Sequence, residues 1–367
     1  MKKNPLILGI DASRSLRKNA TGVERYSTEI IRHLIKENVD FELRLYTPRL
    51  NLEFPEEMQW VIPFPRLWTL IRLSFEMLIR KPDLLFIPSH VLPFFAPKKS
   101  FVMIHDIVYE KYPQAYSLFQ RLYLKWSTHR AVKKAVMVFT PTEAVRQDLI
   151  KRYGANPKKV KAIHHGPIFL PTLSKKDKTE ILSHFSLTED EPLFFFIGRL
   201  ETKKNLLTLL DAWKIVQKKC SQGRLFLGGM QGHGWNELYA RLEEEDLAGT
   251  VLVPGYISDL EAAALFESSS ALMLPSFDEG FGMPILQAFE SQCPVICSDI
   301  AALREVAADA ALYSPTLSAE GFAHHIIKLI EKPELQKKLA ENGQNRLKAF
   351  SWKKSAAQHL SFFRENS

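Results

Sequence analysis

Short runs rich in β-branched and aromatic residues alternate with amphipathic stretches along most of this chain. Strands separated by helices are joined as crossovers rather than hairpins, so the rhythm predicts parallel sheets with helices on both faces. In the first half the strand candidates are Leu6 to Asp11, Phe41 to Tyr46, Asp83 to Pro88, Phe101 to His105 and Val136 to Thr140. In the second half they are Leu193 to Ile197, Arg224 to Leu227, Val251 to Pro254, Ala271 to Leu274 and Val295 to Ser298. Between them, Tyr26, Ile30, Leu34 and Ile35 recur at helical spacing, and Thr142 reads as the N-cap of a helix from Glu143 to Tyr153.

The two series predict two Rossmann-like, doubly wound α/β domains. With 367 residues and 46% hydrophobic content, the chain is long enough for two cores. Pro167 to Asp190, rich in Pro, Lys, Ser and Thr, reads as a linker or surface segment. The predicted division is 1–172, 173–349 and a terminal piece 350–367. Three cysteines, Cys220, Cys293 and Cys297, cannot all pair, and they have no zinc-finger spacing, which fits a reducing, cytoplasmic compartment. The N-terminus reads as a strand rather than a signal peptide. The longest uncharged stretch, Leu84 to Pro97, holds three prolines and falls short of the roughly 20 apolar residues of a membrane span.

Charge is unevenly distributed. The net +8 divides into +13 up to Thr172 and −5 beyond it. That asymmetry fits an anionic partner for the first domain: a membrane surface, a phosphorylated acceptor or nucleic acid. No aromatic-interleaved basic motif of the RNA-recognition kind accompanies it. Arg66 to Lys81 mixes large apolar groups with four cations and reads as a helix that either lies on an anionic membrane, as a peripheral contact, or packs on the sheet as an ordinary amphipathic helix.

In open α/β sheets ligands bind beyond the carboxyl ends of strands, so candidate site residues are sought just after each one. After the first strand, Thr21 and Glu24 have capping-box spacing, and Gly22 would let a phosphate approach backbone N–H groups at a helix start. The Gly-x-Gly-x-x-Gly dinucleotide fingerprint is missing. His105-Asp106 closes the fourth strand candidate of the first domain, where His105 would bond a sugar hydroxyl. After the strand at Leu193, the run Gly198-Arg-Leu-Glu-Thr-Lys-Lys-Asn205 precedes an apolar helix. Asn205 is expected as its N-cap, with Arg199 and Lys204 holding a diphosphate. The segment Pro275 to Glu290 places Glu279 before a tight loop, Gly280-Phe281-Gly282, that opens a helix at Pro284 and carries Gln287 one turn later. A carboxylate beside a diphosphate is repelled, so Glu279 is assigned to sugar hydroxyls. His164-His165 and His324-His325 are adjacent pairs whose side chains diverge, and no metal site is expected.

Taken together, Gly9-Ile-Asp-Ala12, Thr21-Gly-Val-Glu-Arg-Tyr26, His105-Asp106, Thr142-Glu-Ala144, His165-Gly166, Gly198-Arg199 with Lys204-Asn205, Pro275 to Pro284 and Phe350-Ser-Trp352 resemble the retaining glycosyltransferases of family 4, which have the GT-B fold with two domains facing a cleft. The resemblance implies that Arg199 and Lys204 bind the donor diphosphate, and that Glu279 and His105 contact the transferred sugar. It also implies that the Gly22 loop lies near the phosphates and acceptor, and that the helix after Trp352 crosses back onto the first domain. The family has a second glutamate eight residues after the first, on the nucleotide ribose; here that position is Gln287, whose amide can still accept a hydroxyl bond.

The N-terminal pattern is similar to bacterial enzymes of polysaccharide and lipopolysaccharide synthesis. The expected reaction is metal-independent retaining transfer of a hexose, first guess mannose from GDP-mannose, to a glycan or lipid-linked saccharide, with no cofactor beyond this nucleotide-sugar substrate. The alternatives are a nucleotide-sugar epimerase of the same fold and, in another class, a basic nucleic-acid-binding protein.

Overall fold

The computed structural model describes residues 5–16, 21–64, 67–220 and 222–367. The chain divides into two compact units. The first comprises the described residues of Met1–Glu110, Leu118–Gly166 and Ser351–Ser367; the second comprises Lys111–Ser117 and those of Pro167–Phe350.

The first unit contains strands β1 (Leu6–Asp11), β2 (Phe41–Thr47), β3 (Gln59–Val61), β4 (Leu84–Ile87), β5 (Ser100–Met103), β6 (Met137–Thr140) and β7 (Val160–Ala162). They form one sheet in the order β3-β2-β1-β4-β5-β6-β7, every pair parallel. The second unit contains β8 (Leu193–Ile197), β9 (Arg224–Gly228), β10 (Val251–Gly255), β11 (Ala271–Leu274), β12 (Val295–Ser298) and β13 (Leu312–Ser314), ordered β10-β9-β8-β11-β12-β13 and again all parallel. Counted along the chain, both sheets follow the doubly wound order 3-2-1-4-5-6, the first with one strand added. Strand order therefore reverses between β1 and β4 in the first unit and between β8 and β11 in the second. These two reversals fix where a ligand crevice can form.

The phenylalanine run of β8 shows why the second sheet is covered on both sides. Side chains alternate across a strand, so Phe195 enters one core with Phe226, Leu272, Val295 and Cys297, while Phe194 and Phe196 enter the other with Leu225, Leu227, Met273 and Ile296. Helix Leu206–Cys220 closes the second face through Leu209, Leu210, Trp213 and Val216. Helix Met283–Glu290 closes the first through Ile285, Leu286 and Phe289.

In the first unit, helix Gly22–Glu37 packs against the terminal helix Trp352–Glu365. The Tyr26 hydroxyl lies 3.2 Å from His359 Nε2, and Arg364 Nε donates to Asp40 Oδ2 at 2.6 Å. His359 Nδ1 lies 2.8 Å from the Ser355 carbonyl, so Nδ1 carries the proton and Nε2 accepts from Tyr26. Gly166 must be glycine, because a Cβ there would overlap the backbone nitrogen of Trp352.

Two expectations are corrected. Arg66 lies outside the described residues, and Leu67–Lys81 is not one helix: the helix covers Arg72–Ile79 only. Ahead of it Leu67 takes a left-handed φ of 53°, and Trp68 is buried, its Nε1 donating to the Ile62 carbonyl at 2.8 Å; together they turn the chain before the helix begins. His105 is not in a strand, because β5 ends at Met103.

Candidate functional site

The second unit's candidate residues lie on the two loops that leave β8 and β11, the neighbouring strands at its reversal of strand order. After β8, residues 198–202 continue alongside the end of β9. Gly198 N–H donates to the Gly228 carbonyl at 3.0 Å, Leu200 N–H to Met230 at 2.8 Å and Thr202 N–H to His233 at 2.8 Å. The crossing is so close that a Cβ on Gly229, whose φ is +151°, would overlap the Gly198 carbonyl oxygen. Arg199 projects from this ribbon and is exposed, whereas Lys204 ends a short 3-10 turn and keeps only 16% of its side chain accessible.

Asn205 follows, in a left-handed conformation (φ 54°, ψ 38°) that differs from the extended backbone of an ordinary N-cap. Its side chain bonds in three directions. Nδ2 donates to the carbonyls of Pro275 at 3.0 Å and Thr316 at 2.7 Å, and Oδ1 accepts from the Thr208 hydroxyl at 2.8 Å. Asn205 thus ties the β8 loop to the β11 loop, and Phe277 N–H donating to the Lys203 carbonyl at 3.0 Å adds a backbone link.

That tether brings Lys204 to Glu279. Lys204 Nζ donates to Glu279 Oε1 at 2.6 Å, and the Ser276 hydroxyl donates to the same oxygen at 2.7 Å. An ammonium has three donors and a carboxylate about four acceptor sites, so the pair retains donor capacity on Nζ and acceptor capacity on Oε2. Ser276 escaped the sequence reading, although Ser276-x-x-Glu279 has the spacing of a hydroxyl that can reach a carboxylate three residues on. The loop is held further by the second unit's Lys111–Ser117 segment: Lys111 Nζ meets Asp278 Oδ2 at 2.7 Å, and Tyr112 stacks on Phe277 at 5.0 Å.

Gly280, Phe281 and Gly282 lead into helix Met283–Glu290, with Gly282 as a left-handed cap (φ 85°) and Pro284 in the first turn. The Phe281 side chain turns into the core. It is 4% exposed, packed edge-on against Phe350 in the core, so any binding role belongs to its backbone alone. Gln287 is buried on the second turn of the helix.

In the first unit, Gly22 opens helix Gly22–Glu37 and is exposed. Glu24 reaches back to accept the Thr21 N–H at 3.1 Å and the Thr21 hydroxyl, and Arg14 stands 3.8 Å away. The loop residues 17–20 that precede Thr21 lie outside the described residues. His105 Nε2 lies 3.0 Å from the Pro88 carbonyl, which fixes the proton on Nε2 and leaves Nδ1 as an acceptor. Its ring stands edge-on to Tyr26 at 4.8 Å. Burial pushes its pKa down, with the Pro88 bond, Asp106 and Glu24 opposing, so the ring is neutral near neutrality. His90 was not anticipated. It follows β4 at the first unit's reversal of strand order, and burial, with His105 nearby, lowers its pKa to about 4. A search beyond every strand end would have found it.

Within the adjacent pairs, the His324 and His325 rings meet edge-on at 5.4 Å. His165 stacks on Trp352 at 5.7 Å, and His325 Nε2 lies 3.0 Å from the Tyr313 carbonyl. Among the described residues no group of three or more His, Cys, Asp or Glu side chains is placed to hold a metal ion.

Comparison with known proteins follows the same two-unit division. Residues 20–166 match the Glycosyltransferase Family 4 model, and residues 177–346 match the model of Glycosyl transferases group 1. Relatives include the O-antigen chain mannosyltransferase B of Escherichia coli, 23% identical over 97% of this chain and 99% of that one. The O-antigen chain mannosyltransferase RfbU of Salmonella typhimurium is 26% identical over 61% of this chain and 58% of that one. Among solved structures, a sucrose-phosphate synthase from Thermosynechococcus elongatus superposes with a TM-score of 0.76 at 19% identity, covering 99% of both chains. WaaG, a glycosyltransferase involved in lipopolysaccharide biosynthesis, superposes at 0.76 and 15% identity over 98% of this chain and 99% of that one. The epimerase alternative draws no support from these matches. The chain belongs to the glycosyltransferases of the GT-B fold, with a family 4 region followed by a group 1 region.

Proposed function

We propose that the chain is a retaining hexosyltransferase that moves mannose from GDP-mannose to a glycan or lipid-linked saccharide. The observation that carries the site assignment is the pairing of Lys204 with Glu279 on two loops laced together by Asn205 at the carboxyl ends of β8 and β11. Arg199 and the remaining donors of Lys204 hold the diphosphate, with the backbone of Gly198 and Gly280 to Gly282 around it. Glu279 Oε2 accepts a sugar hydroxyl, Gln287 takes a ribose hydroxyl, His105 Nδ1 accepts a further sugar hydroxyl, and Gly22 lies near the phosphates and acceptor. Mannose is favoured by the names of the two O-antigen mannosyltransferase relatives, and GDP as its carrier is part of the proposal. The Anabaena Alr3699/HepE structure, similar in fold, is a complex with UDP-glucose, so a panel is needed.

In the proposed step the anomeric carbon's bond to the diphosphate oxygen breaks as the acceptor hydroxyl oxygen bonds to the same face of the sugar. The departing phosphate oxygen takes the hydroxyl proton, and the products are a glycoside and a nucleoside diphosphate. Negative charge grows on the leaving group in the transition state, where Arg199 and Lys204 act most strongly. No side-chain base and no metal enter this step. The test is an assay of nucleotide sugars with and without saccharide acceptors in the presence of EDTA. Acceptor-dependent release of nucleoside diphosphate with retained anomeric configuration supports the proposal; conversion of free donor without acceptor, an inverted product, or loss of turnover in EDTA contradicts it.

A further inference from the structure

Three segments of the first unit, distant in sequence, build one exposed apolar face rimmed by cations. In helix Arg72–Ile79, Leu73 and Met77 are buried while Phe75, Leu78 and Ile79 are 55%, 57% and 73% exposed. Beside it runs the loop bearing Phe94 and Phe95, both half exposed, with Phe94 N–H donating to Ser74 Oγ at 2.7 Å. The same loop is fastened to helix Leu118–Lys134. Arg130 Nη2 donates to the carbonyls of Pro93 and Phe94 at 2.6 and 2.7 Å, and Phe94 meets the Trp126 ring at 5.9 Å. From Leu118 to Trp126 that helix buries no residue. Leu118, Leu122 and Trp126 recur every fourth position on one side, with Phe119 exposed beside them.

Single exposed leucines are ordinary, but nine large apolar side chains on three mutually bonded segments are not a surface made for water alone. Its rim is basic. Residues 67–81 and 118–134 together carry eight Lys and Arg and one acid, Glu76, which is buried against Arg72 at 3.2 Å. Lys125 is paired with Glu110 at 3.1 Å, and Lys98 and Lys99 beside the loop are exposed. Two copies of this unit placed face to face would set these cations against one another. Aromatic and aliphatic groups at the headgroup level, with cations reaching anionic lipids, would satisfy both halves of the surface. No helix among the described residues is long and apolar enough to cross a membrane.

We propose that this composite face, and not the Arg72–Ile79 helix alone, seats the first unit on an anionic lipid bilayer. It deepens the reading of a lipid-linked acceptor, because a bilayer-bound enzyme meets such an acceptor within the plane where it resides.

The experiment is sedimentation of the full chain with phosphatidylcholine vesicles, with and without phosphatidylglycerol, at rising salt. The chain is expected to pellet with the anionic vesicles only, and less so as salt screens the cations. F119E/L122E and, separately, F75E are expected to lower partitioning by roughly tenfold or more, whereas L317E, which alters an exposed leucine of the second unit, leaves it unchanged. Melting temperature, and its rise with nucleotide sugar, are measured on each variant. Unaltered values show that the chain is folded and that the donor site is intact. The proposal is overturned if the folded chain ignores anionic vesicles, or if both patch variants bind like the parent. It is also overturned if light scattering shows a dimer that F119E/L122E dissociates, which would give the face to a second copy. Failure to bind any nucleotide sugar would overturn the proposed function while leaving the vesicle result standing.

Discussion

Lys204 Nζ and Glu279 Oε1 stand 2.6 Å apart, 75 residues distant in sequence, with 16% and 13% of their side chains accessible. Each charge is partly withdrawn from water and neutralised by the other, so removing one strands its partner. K204M is expected to lower stability by about 1–3 kcal/mol. The double variant K204M/E279Q is expected to recover part of that loss. Thermal denaturation of the four proteins in the cycle checks this, and simple additivity of the two single losses would show that the pair is not coupled.

Asn205 supplies the lacing that makes this pair possible. N205A gives up both donor bonds to Pro275 and Thr316 and places a Cβ residue without a compensating amide at φ 54°, for an expected loss of about 2–4 kcal/mol. N205G keeps the backbone at ease and should be the milder variant by about 1 kcal/mol. Melting curves for both provide the comparison; equal losses would remove backbone strain from the explanation.

Gly229 has no room for a side chain. G229A forces the ends of β8 and β9 apart, and a loss above about 4 kcal/mol is expected, together with loss of any nucleotide-sugar-induced rise in melting temperature. A variant that melts and binds like the parent would contradict the close crossing.

The first unit predicts a specific response to acid. Burial lowers the pKa of His359 and of His90 from the ordinary 6.5 to about 4 in the folded chain. Between those values the unfolded chain binds protons that the folded chain excludes, so the stabilisation is complete above pH 6.5 and is lost as pH falls toward 4. Each histidine contributes a slope of up to about 1.4 kcal/mol per pH unit. H359Q should remove its share of the slope when stability is measured from pH 7 to pH 4; an unchanged slope would show that His359 titrates alike in both states.

Much of this architecture was legible from the alternation of elements, and the limits are instructive. Ten strands are four or more residues long, and their apolar runs or alternation make them recognisable. The three that were not, Gln59–Val61, Val160–Ala162 and Leu312–Ser314, are three-residue strands at sheet edges, too short for a period of two to show. Their existence depends on the ladder offered by β2, β6 and β12. The site divides along the same line. Glycines, cations and Glu279 are visible because loop chemistry is local. The bonds of Asn205 to Pro275 and Thr316 span 70 and 111 residues, and no local spacing encodes them. The Phe281 ring packs in the core, a placement that its position between two glycines does not encode, and leaves only its backbone to the loop.

The most direct measurement is the affinity of a nucleotide sugar, chosen from a GDP- and UDP-sugar panel by thermal shift, for the parent chain and for R199M and K204M. Calorimetric titration should show tight binding by the parent and at least a tenfold loss in each variant, about 1.4 kcal/mol or more for each lost charge-assisted contact to the diphosphate. Undiminished affinity in both folded variants would contradict the assignment of these two cations to the donor's diphosphate.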